Sequence, residues 1–278
     1  MDRLVTARKM WILSLQNQQK KMRSIISLGL LVLMALSCQN KPKDTPTMPQ
    51  EPEPIDADKI DYIMGQFEPD QHKDFVLIPS AYASREGMYL RKEAFEDYLK
   101  MHQHAASEGI NFTIRSATRN FEYQRGIWEN KWTGQTILSD GTAASDVEDF
   151  IDRAKKILLY SSMPSTSRHH WGTDIDLNSF DNSYFESGAG LKEYNWLLEH
   201  ASTYGFCQPY TDKSGGRTGY EEEKWHWTYM PLSKDLTDYA ESYLRDEMIK
   251  GFLGSEVAPK IEVVKNYVLG INGRCSHE

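Results

Sequence analysis

Apolar residues recur with helical spacing in several stretches of the chain and alternate with polar residues in a few short ones. The helical spacing predicts helices over 90–106, 121–132, 145–160, 191–204 and 236–252, with a less regular extension over 257–269. A capping-box signature, Ser145 followed by Glu148, marks the start of the third of these helices. Short strands are predicted over 75–78, 111–116 and 173–178. Helices around a few strands, without regular alternation of the two, indicate an α+β fold.

An apolar run lies near the start of the chain. Basic residues over 20–23 precede this run, 25–36, which is short for a membrane span and has the length of a signal-peptide core. Cys38 then stands in a context that resembles a bacterial lipobox, although Ala35 occupies the usual leucine position. We therefore expect 1–37 to be a lipoprotein-type signal peptide, Cys38 to carry a lipid anchor, and the protein to be exported to the periplasm or cell envelope. An ordinary signal peptide and an uncleaved anchor are the alternatives.

The segment that follows differs in composition from the rest of the chain. Residues 38–59 are rich in proline and charge and have almost no apolar side chains, so we expect a disordered tether. The folded domain is expected over 60–278, with a helical extension at its C-terminal end. Beyond Cys38 the chain contains two cysteines, Cys207 and Cys275. An even pair suits a disulfide in an exported protein, but spacing alone does not show that the two meet.

The distribution of charge excludes some partners. The net charge is −8, and residues 1–37 hold six basic side chains and one acidic side chain. The remainder therefore carries 26 basic and 39 acidic side chains, a net charge of −13. A domain that acidic is a poor candidate for binding nucleic acid or anionic lipid through its surface.

Two adjacent histidines precede a predicted strand that carries two acids. If 173–178 is extended, Asp174 and Asp176 share one face while apolar side chains occupy the other. Two neighbouring carboxylates are unfavourable unless a cation or solvent accepts their charge. His169 and His170 lie a few residues upstream, so a metal site is the economical explanation. Spacing alone leaves either histidine as the ligand.

A second candidate motif lies downstream, Glu223-Lys224-Trp225-His226. A glutamate near a metal that does not ligate it can take a proton from water and return it to a leaving amine. In an extended segment Glu223 and His226 would lie on opposite faces, so Glu223 reaches the site only if the segment turns. The alternative is that Glu223 belongs to a solvated acidic run with its neighbours Glu221 and Glu222.

The two motifs together resemble a known family signature. Ser167-x-His169-x-x-Gly172-x-x-x-Asp176 followed by Glu223-x-Trp225-His226 is similar to the signature of the VanY-type D-alanyl-D-alanine carboxypeptidases. Ser116-x-x-Arg119-x-x-x-x-Gln124 matches a further family motif, and the likeness covers about 90–229. These are zinc peptidases of the hedgehog/DD-peptidase fold that trim peptidoglycan stem peptides. The resemblance implies a small central antiparallel sheet flanked by helices.

The resemblance also implies roles for individual residues. It implies three zinc ligands: His169, Asp176 and His226. Glu223 is then the catalytic base and acid, and Arg119 polarises the scissile carbonyl and stabilises its oxyanion. Ser116 and Gln124 are expected to bind the terminal carboxylate of the substrate. Asp174 departs from the pattern, since the family usually has alanine there, and is expected either to support a ligand or to alter substrate preference.

The activity that the resemblance implies is removal of the terminal D-alanine from stem peptides. Two alternatives act on other bonds of the same polymer: an L,D-carboxypeptidase and an endopeptidase of the endolysin type. A third is a zinc-binding module without catalysis, because hedgehog signalling domains share the architecture and bind partners. The presence of both Glu223 and Arg119 argues against that third alternative.

Overall fold

The computed structural model describes residues 55–276. The predicted signal peptide, the predicted lipidation site at Cys38 and nearly all of the predicted tether lie outside these residues. Within the described range, no helix has the length and apolar character that crossing a membrane requires.

The described range contains six α-helices and six short strands. The helices are α1 (Ala57–Ile63), α2 (Lys92–Ser107), α3 (Phe121–Trp132), α4 (Phe150–Ile157), α5 (Gly188–His200) and α6 (Met230–Tyr243). The strands are β1 (Phe75–Leu77), β2 (Tyr89–Arg91), β3 (Ile114–Ser116), β4 (Asp174–Leu177), β5 (Phe206–Cys207) and β6 (His226–Tyr229). Short 3-10 helices lie at Ala144–Asp146, Arg168–Trp171, Asn182–Glu186, Ala201–Tyr204, Asp246–Met248, Ser255–Ile261 and Gly273–Cys275, and a π-helical turn at Val264–Val268.

The central element is a four-stranded antiparallel sheet. Its strand order is β3-β4-β6-β5, while β1 and β2 form a separate antiparallel pair. At the centre, Asp174 pairs with Thr228, and Asp176 pairs with His226. The predicted α+β class, with a small central antiparallel sheet flanked by helices, is confirmed.

The two faces of the central strands differ in polarity because side chains alternate along a strand. The apolar face packs against α2 and α5 and carries Ile175, Leu177, Trp227 and Tyr229. The opposite face is also buried and carries Asp174, Asp176, His226 and Thr228. The predicted alternation over 173–178 is therefore confirmed for the strand residues, and the polar side chains are collected on one covered surface.

A second core cluster involves α3, α4, α6 and the segment that follows α6. Its largest members include Trp128, Trp132, Trp171, Tyr210 and Tyr220. A disulfide joins Cys207 on β5 to Cys275, with Cα atoms 5.7 Å apart. This bond, which the spacing left open, ties the C-terminal segment to the edge of the central sheet.

The predicted start of the helix over 145–160 was wrong. Helix α4 begins at Phe150, and the cap is Asp149, whose carboxylate accepts from the backbone N–H groups of Ile151 and Asp152 at 2.9 and 3.0 Å. The Ser145 capping box is not used, because 144–146 forms a separate 3-10 turn. Asp56 caps α1 in the same way as Asp149 caps α4. Helix α1 therefore overlaps the last residues of the predicted tether.

The C-terminal part differs most from the prediction. Helix α6 spans Met230–Tyr243, so it begins before the predicted 236 and ends before 252. Pro231 lies in the first turn of α6, where the missing N–H has no intrahelical acceptor to lose. The predicted extension over 257–269 consists of a 3-10 and a π-helical piece instead of one helix.

Candidate active site

Three side chains from separate motifs meet at the polar face of the central sheet. His169, Asp176 and His226 each offer one nitrogen or oxygen atom, and these atoms lie within 4.8 Å of one another. Asp176 and His226 are opposite one another on β4 and β6, whereas the 3-10 turn Arg168–Trp171 supplies His169. All three side chains are buried.

Gly172 makes the turn that delivers His169. Its φ of +70° lies in the left-handed region that favours glycine. A Cβ at this position would lie 2.3 Å from the ring of Phe75. The glycine of the first motif is therefore required both by the backbone conformation and by the packing.

The atoms that face one another fit a divalent cation. His169 places Nδ1 2.8 Å from the carbonyl oxygen of Ala117, while its Nε2 lies 3.2 Å from Asp176 Oδ2. His226 Nδ1 lies 3.1 Å from Asp176 Oδ1. Neither His169 Nε2 nor Asp176 Oδ1 has a hydrogen-bond partner in the described range, although both are buried. Buried polar atoms that converge in this way suit a bound ion, and two imidazoles with one carboxylate form a donor set that zinc uses.

His170 is not part of this set. Its Nδ1 lies 2.6 Å from the carbonyl oxygen of Arg119, and its Nε2 accepts the backbone N–H of Ser165 at 3.1 Å. Both ring nitrogens are therefore occupied by backbone groups. Burial lowers the pKa of His170 to about 3, which keeps the ring neutral. Between the two adjacent histidines, the geometry selects His169 as the candidate ligand.

Glu223 lies beside the three candidate ligands. The chain turns at 224–225, where the backbone N–H of His226 donates to the Glu223 carbonyl at 3.3 Å, and Glu223 Oε2 lies 3.2 Å from His226 Nδ1. The side chain is buried, and desolvation raises its pKa. The interpretation of Glu223 as part of a solvated acidic run was therefore wrong. Its neighbour Glu221 does lie at the surface, where it pairs with Lys213.

Charge around the candidate ligands is strongly coupled. Burial alone would raise the pKa of Asp176, but His169 and His226 hold it well below the ordinary value. Burial alone would lower the pKa of His226, but Asp174, Asp176 and Glu223 raise it well above the ordinary value. Asp176 is therefore held in the ionised form that metal binding requires, whereas a metal ion would have to displace a proton from His226.

Arg119 reaches the site from the turn after β3. Its Nη1 donates to Ser116 Oγ at 3.0 Å and lies 3.8 Å from Asp176 Oδ2. Gln124 is directed elsewhere, since its Nε2 donates to the carbonyl of Ser162 at 2.8 Å. Arg119 is among the described residues that line the cavity, whereas Ser116 and Gln124 are not. The structure thus brings Arg119 to the site and places Ser116 as its support.

A cavity of about 880 Å³ opens over these groups. Lys131 on α3 lines it together with Arg119, and the Lys131 ammonium donates to Ser161 Oγ. No carboxylate of the described range pairs with Lys131. Burial, followed by the nearby Arg119, lowers the pKa of Lys131. Sequence reasoning missed this residue, and the available signal was its position seven residues after Gln124 on one helix.

Asp174 lies behind His226, on the side away from the other candidate ligands. Its Oδ2 is 2.8 Å from His226 Nε2 and accepts from Arg168 Nε at 3.3 Å. The side chains of Asp174 and Arg168 are both fully buried. Burial raises the pKa of Asp174, but Arg168 and His226 outweigh burial and hold it below the ordinary value. The acid that departs from the family pattern therefore contacts a candidate ligand directly.

The comparison with protein families agrees with this geometry. The family described as VanY, D-alanyl-D-alanine carboxypeptidase, matches residues 87–232, which is more than half of the chain. The chain belongs to the VanY family. The matched range includes both motifs and all three candidate ligands, together with Glu223 and Arg119.

Individual relatives are more distant. YodJ of Bacillus subtilis, a protein named as a candidate carboxypeptidase, is 27% identical over 188 residues, covering 65% of this chain and 62% of its own. A D-alanyl-D-alanine carboxypeptidase of Enterococcus faecalis is 23% identical over 147 residues, covering 52% of this chain and 50% of its own. The chain thus spans between half and two thirds of the length of these two relatives. A solved structure of VanYB with D-alanine-D-alanine is 21% identical with a TM-score of 0.44, covering 62% of this chain and 86% of that one.

Proposed function

We propose that this protein is a zinc-dependent carboxypeptidase that removes the terminal D-alanine from peptidoglycan stem peptides. The observation that carries the proposal is the convergence of His169, Asp176 and His226, with Glu223 beside them, in the wall of an open cavity. Membership of the VanY family supports the choice of substrate.

His169 Nε2, His226 Nδ1 and an Asp176 carboxylate oxygen are the atoms that would hold zinc. When bound, zinc supplies a Lewis acid that lowers the pKa of water to about 7 and polarises a carbonyl. Glu223 accepts the proton of the attacking water at a carboxylate oxygen and returns it to the leaving amine. Burial raises the pKa of Glu223, which suits a group that must both take and release a proton near neutral pH.

Arg119 binds the oxygen of the scissile carbonyl. Ser116 holds the Arg119 guanidinium on one side, and Arg119 Nε is buried without a partner in the described range. A fixed planar cation with a free donor stabilises negative charge that develops on the carbonyl oxygen. Ser116 therefore supports Arg119, and the substrate contacts expected of Ser116 and Gln124 stay predictions.

The charge of the cavity favours a carboxypeptidase over an endopeptidase. Lys131 has no carboxylate partner in the described range and shares the cavity with Arg119. Its ammonium group can therefore donate to the free carboxylate at the end of a peptide. An endopeptidase substrate has a neutral amide at that position and gains nothing from the charge. We therefore propose that Lys131, held by Ser161, binds the terminal carboxylate of the substrate.

Defined muropeptides test the specificity. The protein is incubated with zinc and a pentapeptide ending in D-alanyl-D-alanine, a tetrapeptide, or a cross-linked dimer, and released fragments are identified by mass. Release of D-alanine from the pentapeptide alone supports the proposal. Release from the tetrapeptide indicates an L,D-carboxypeptidase, cleavage of the dimer an endopeptidase, and stoichiometric zinc without hydrolysis a binding module.

We also propose that the protein is an exported lipoprotein of the cell envelope, anchored through Cys38. The apolar run over 25–36 and the lipobox-like context of Cys38 support export. The disulfide between Cys207 and Cys275 suits an oxidising compartment. Labelling cells with radioactive palmitate tests the anchor: the full-length protein is expected to incorporate label and the Cys38→Ala variant to lose it.

A further inference from the structure

A fully buried network lies behind the candidate ligand His226. Asp174 Oδ2 is 2.8 Å from His226 Nε2, the ring nitrogen that faces away from Asp176. Asp174 Oδ1 accepts from the hydroxyl groups of Thr173 and Thr228, each at 2.7 Å. Asp174 is therefore saturated by donors, and one of them is the imidazole.

The hydrogen bond to Asp174 defines what His226 presents to the site. Because Nε2 donates to Asp174, Nδ1 is the ring nitrogen that faces Asp176 and Glu223 and that would lose its proton when an ion binds. The bond also fixes the rotation of the ring. The ring of Tyr210 also meets His226 edge to face, at a centroid distance of 4.7 Å. The imidazole is thereby held in one orientation before any ion binds.

Arg168 holds Asp174 in place. Its Nε donates to Asp174 at 3.3 Å, and its Nη2 and Nη1 donate to Thr228 and Thr237 at 3.0 and 2.9 Å. The guanidinium also lies over the ring of Trp171, 4.4 Å from its centroid. Arg168 is thus held by two threonine hydroxyl groups and by Trp171, and it in turn holds the carboxylate of Asp174.

We propose that Asp174 is a positioning residue for the metal site, acting through His226 and held by Arg168. The inference rests on the proposed function, because it explains the contact made by His226 Nε2, the ring nitrogen that would face away from the zinc ion. A carboxylate that accepts from the distal N–H of a metal-bound histidine makes that histidine a better ligand, and its loss typically weakens metal affinity 10- to 100-fold. A purely structural ion pair between Arg168 and Asp174 would instead leave metal affinity unchanged.

The test compares zinc affinity in variants of the metal-stripped protein, measured by competition with a chromophoric chelator. Asp174→Asn keeps the shape and the acceptor for His226 but removes the charge, and we expect the zinc dissociation constant to rise about 10-fold or more. Thr237→Val is the matched control, because it removes a partner of Arg168 without touching Asp174 or His226. We expect its dissociation constant to stay within about twofold of wild type.

Substitution of zinc by cobalt gives a second readout, since the visible spectrum of Co²⁺ reports on ligand geometry. Asp174→Asn is expected to shift this spectrum and Thr237→Val to leave it unchanged. Wild-type affinity and an unchanged spectrum in Asp174→Asn would overturn the inference, leaving the ion pair a structural feature only. If wild type itself binds no stoichiometric zinc, the proposed function fails instead.

A measurement on the unmodified protein covers the case in which Asp174→Asn does not fold. In the zinc-loaded wild type, nitrogen-15 spectra of the histidine rings identify which nitrogen of His226 carries the proton. We expect a slowly exchanging proton on Nε2 and a metal-perturbed Nδ1. The reverse assignment, with the metal on Nε2, contradicts the role of Asp174.

Discussion

His226 Nδ1 lies 3.1 Å from Asp176 Oδ1, across the pairing of the two central strands. No local contact brings these residues together, since they belong to separate motifs. The register of β4 against β6 brings them together by placing Asp176 opposite His226. Ile175 and Trp227, on the other face of the sheet, are buried in the core and stabilise that register. A shift of one residue would turn the polar side chains into the core, so the same packing that stabilises the sheet also fixes the distance between two candidate ligands.

Glu223 is predicted to matter for turnover and not for zinc. Glu223→Gln keeps the size of the side chain but cannot take a proton, so hydrolysis is expected to fall at least 100-fold. Zinc content is expected to stay at the wild-type level. Glu222→Gln is the control, because Glu222 precedes it in the chain yet lies 4.0 Å from Lys224 instead of in the ligand cluster. Equal losses in both variants, or full activity in Glu223→Gln, would show that Glu223 is not the proton carrier.

Lys131 is predicted to recognise a free carboxylate. Lys131→Met removes the charge while keeping an unbranched side chain, and a charge-assisted hydrogen bond contributes about 1.5 to 3 kcal/mol. The kcat/KM for a peptide with a free C-terminus is expected to fall about 10- to 100-fold, while hydrolysis of the matching C-terminal amide is expected to change little. Lys155→Met, an exposed lysine on α4 outside this cavity, is expected to affect neither. Parallel losses on both peptides would contradict the assignment.

The buried Arg168–Asp174 pair is predicted to show strong coupling in stability. Asp174→Ala leaves the Arg168 guanidinium buried without its carboxylate, which is expected to reduce the free energy of unfolding by about 3 to 5 kcal/mol. Adding Arg168→Met removes the uncompensated charge and is expected to recover much of that loss. Urea unfolding of the single and double variants checks this. A double variant that is less stable than Asp174→Ala would contradict the explanation.

His170 is predicted to make the stability depend on acid pH. Its pKa in the folded chain is about 3 because of burial, against about 6.5 in an unfolded chain. Between these pH values the unfolded chain binds a proton that the folded chain does not. The free energy of unfolding therefore falls by about 1.4 kcal/mol for each pH unit below 6.5. His170→Gln retains groups that can bond to the Arg119 carbonyl and the Ser165 N–H without titrating.

The measurement is the free energy of unfolding of wild type and His170→Gln at pH 7 and pH 5. Relative to wild type, the variant is expected to be about 2 kcal/mol more stable at pH 5 than at pH 7. Because the other titrating groups are common to both proteins, their contributions cancel. A difference that is independent of pH would show that His170 is not held neutral by the fold.

Local patterns were sufficient for part of the fold. Helix α3 coincides with the predicted 121–132, because Asn120 supplies a side-chain cap that accepts from the N–H of Tyr123 and the apolar spacing is regular. The predicted start of helix α6 at 236 was late, because Pro231 is compatible with a first turn and the helix begins at Met230. The pieces after α6 could not be predicted as 3-10 or π-helical, because tertiary packing of Val257, Ile261 and Val268 decides their form.

The candidate site was predicted where a motif carried it and missed where only tertiary contacts do. His170 is excluded as a ligand because its ring is hydrogen-bonded to the backbone carbonyl of Arg119, a residue distant in sequence. Lys131 has no motif of its own and enters the cavity because α3 packs beside it. For the same reason the sequence showed Asp174 as an anomaly but did not reveal its contact with His226.

The central claim is that His169, Asp176 and His226 hold one zinc ion. Metal analysis by mass spectrometry of the purified domain, in wild type and in His226→Ala, tests it most directly. We expect one zinc per chain in the wild type and a large loss of zinc in His226→Ala. A wild-type protein without stoichiometric zinc, or a His226→Ala variant that retains it at full affinity, would contradict the account.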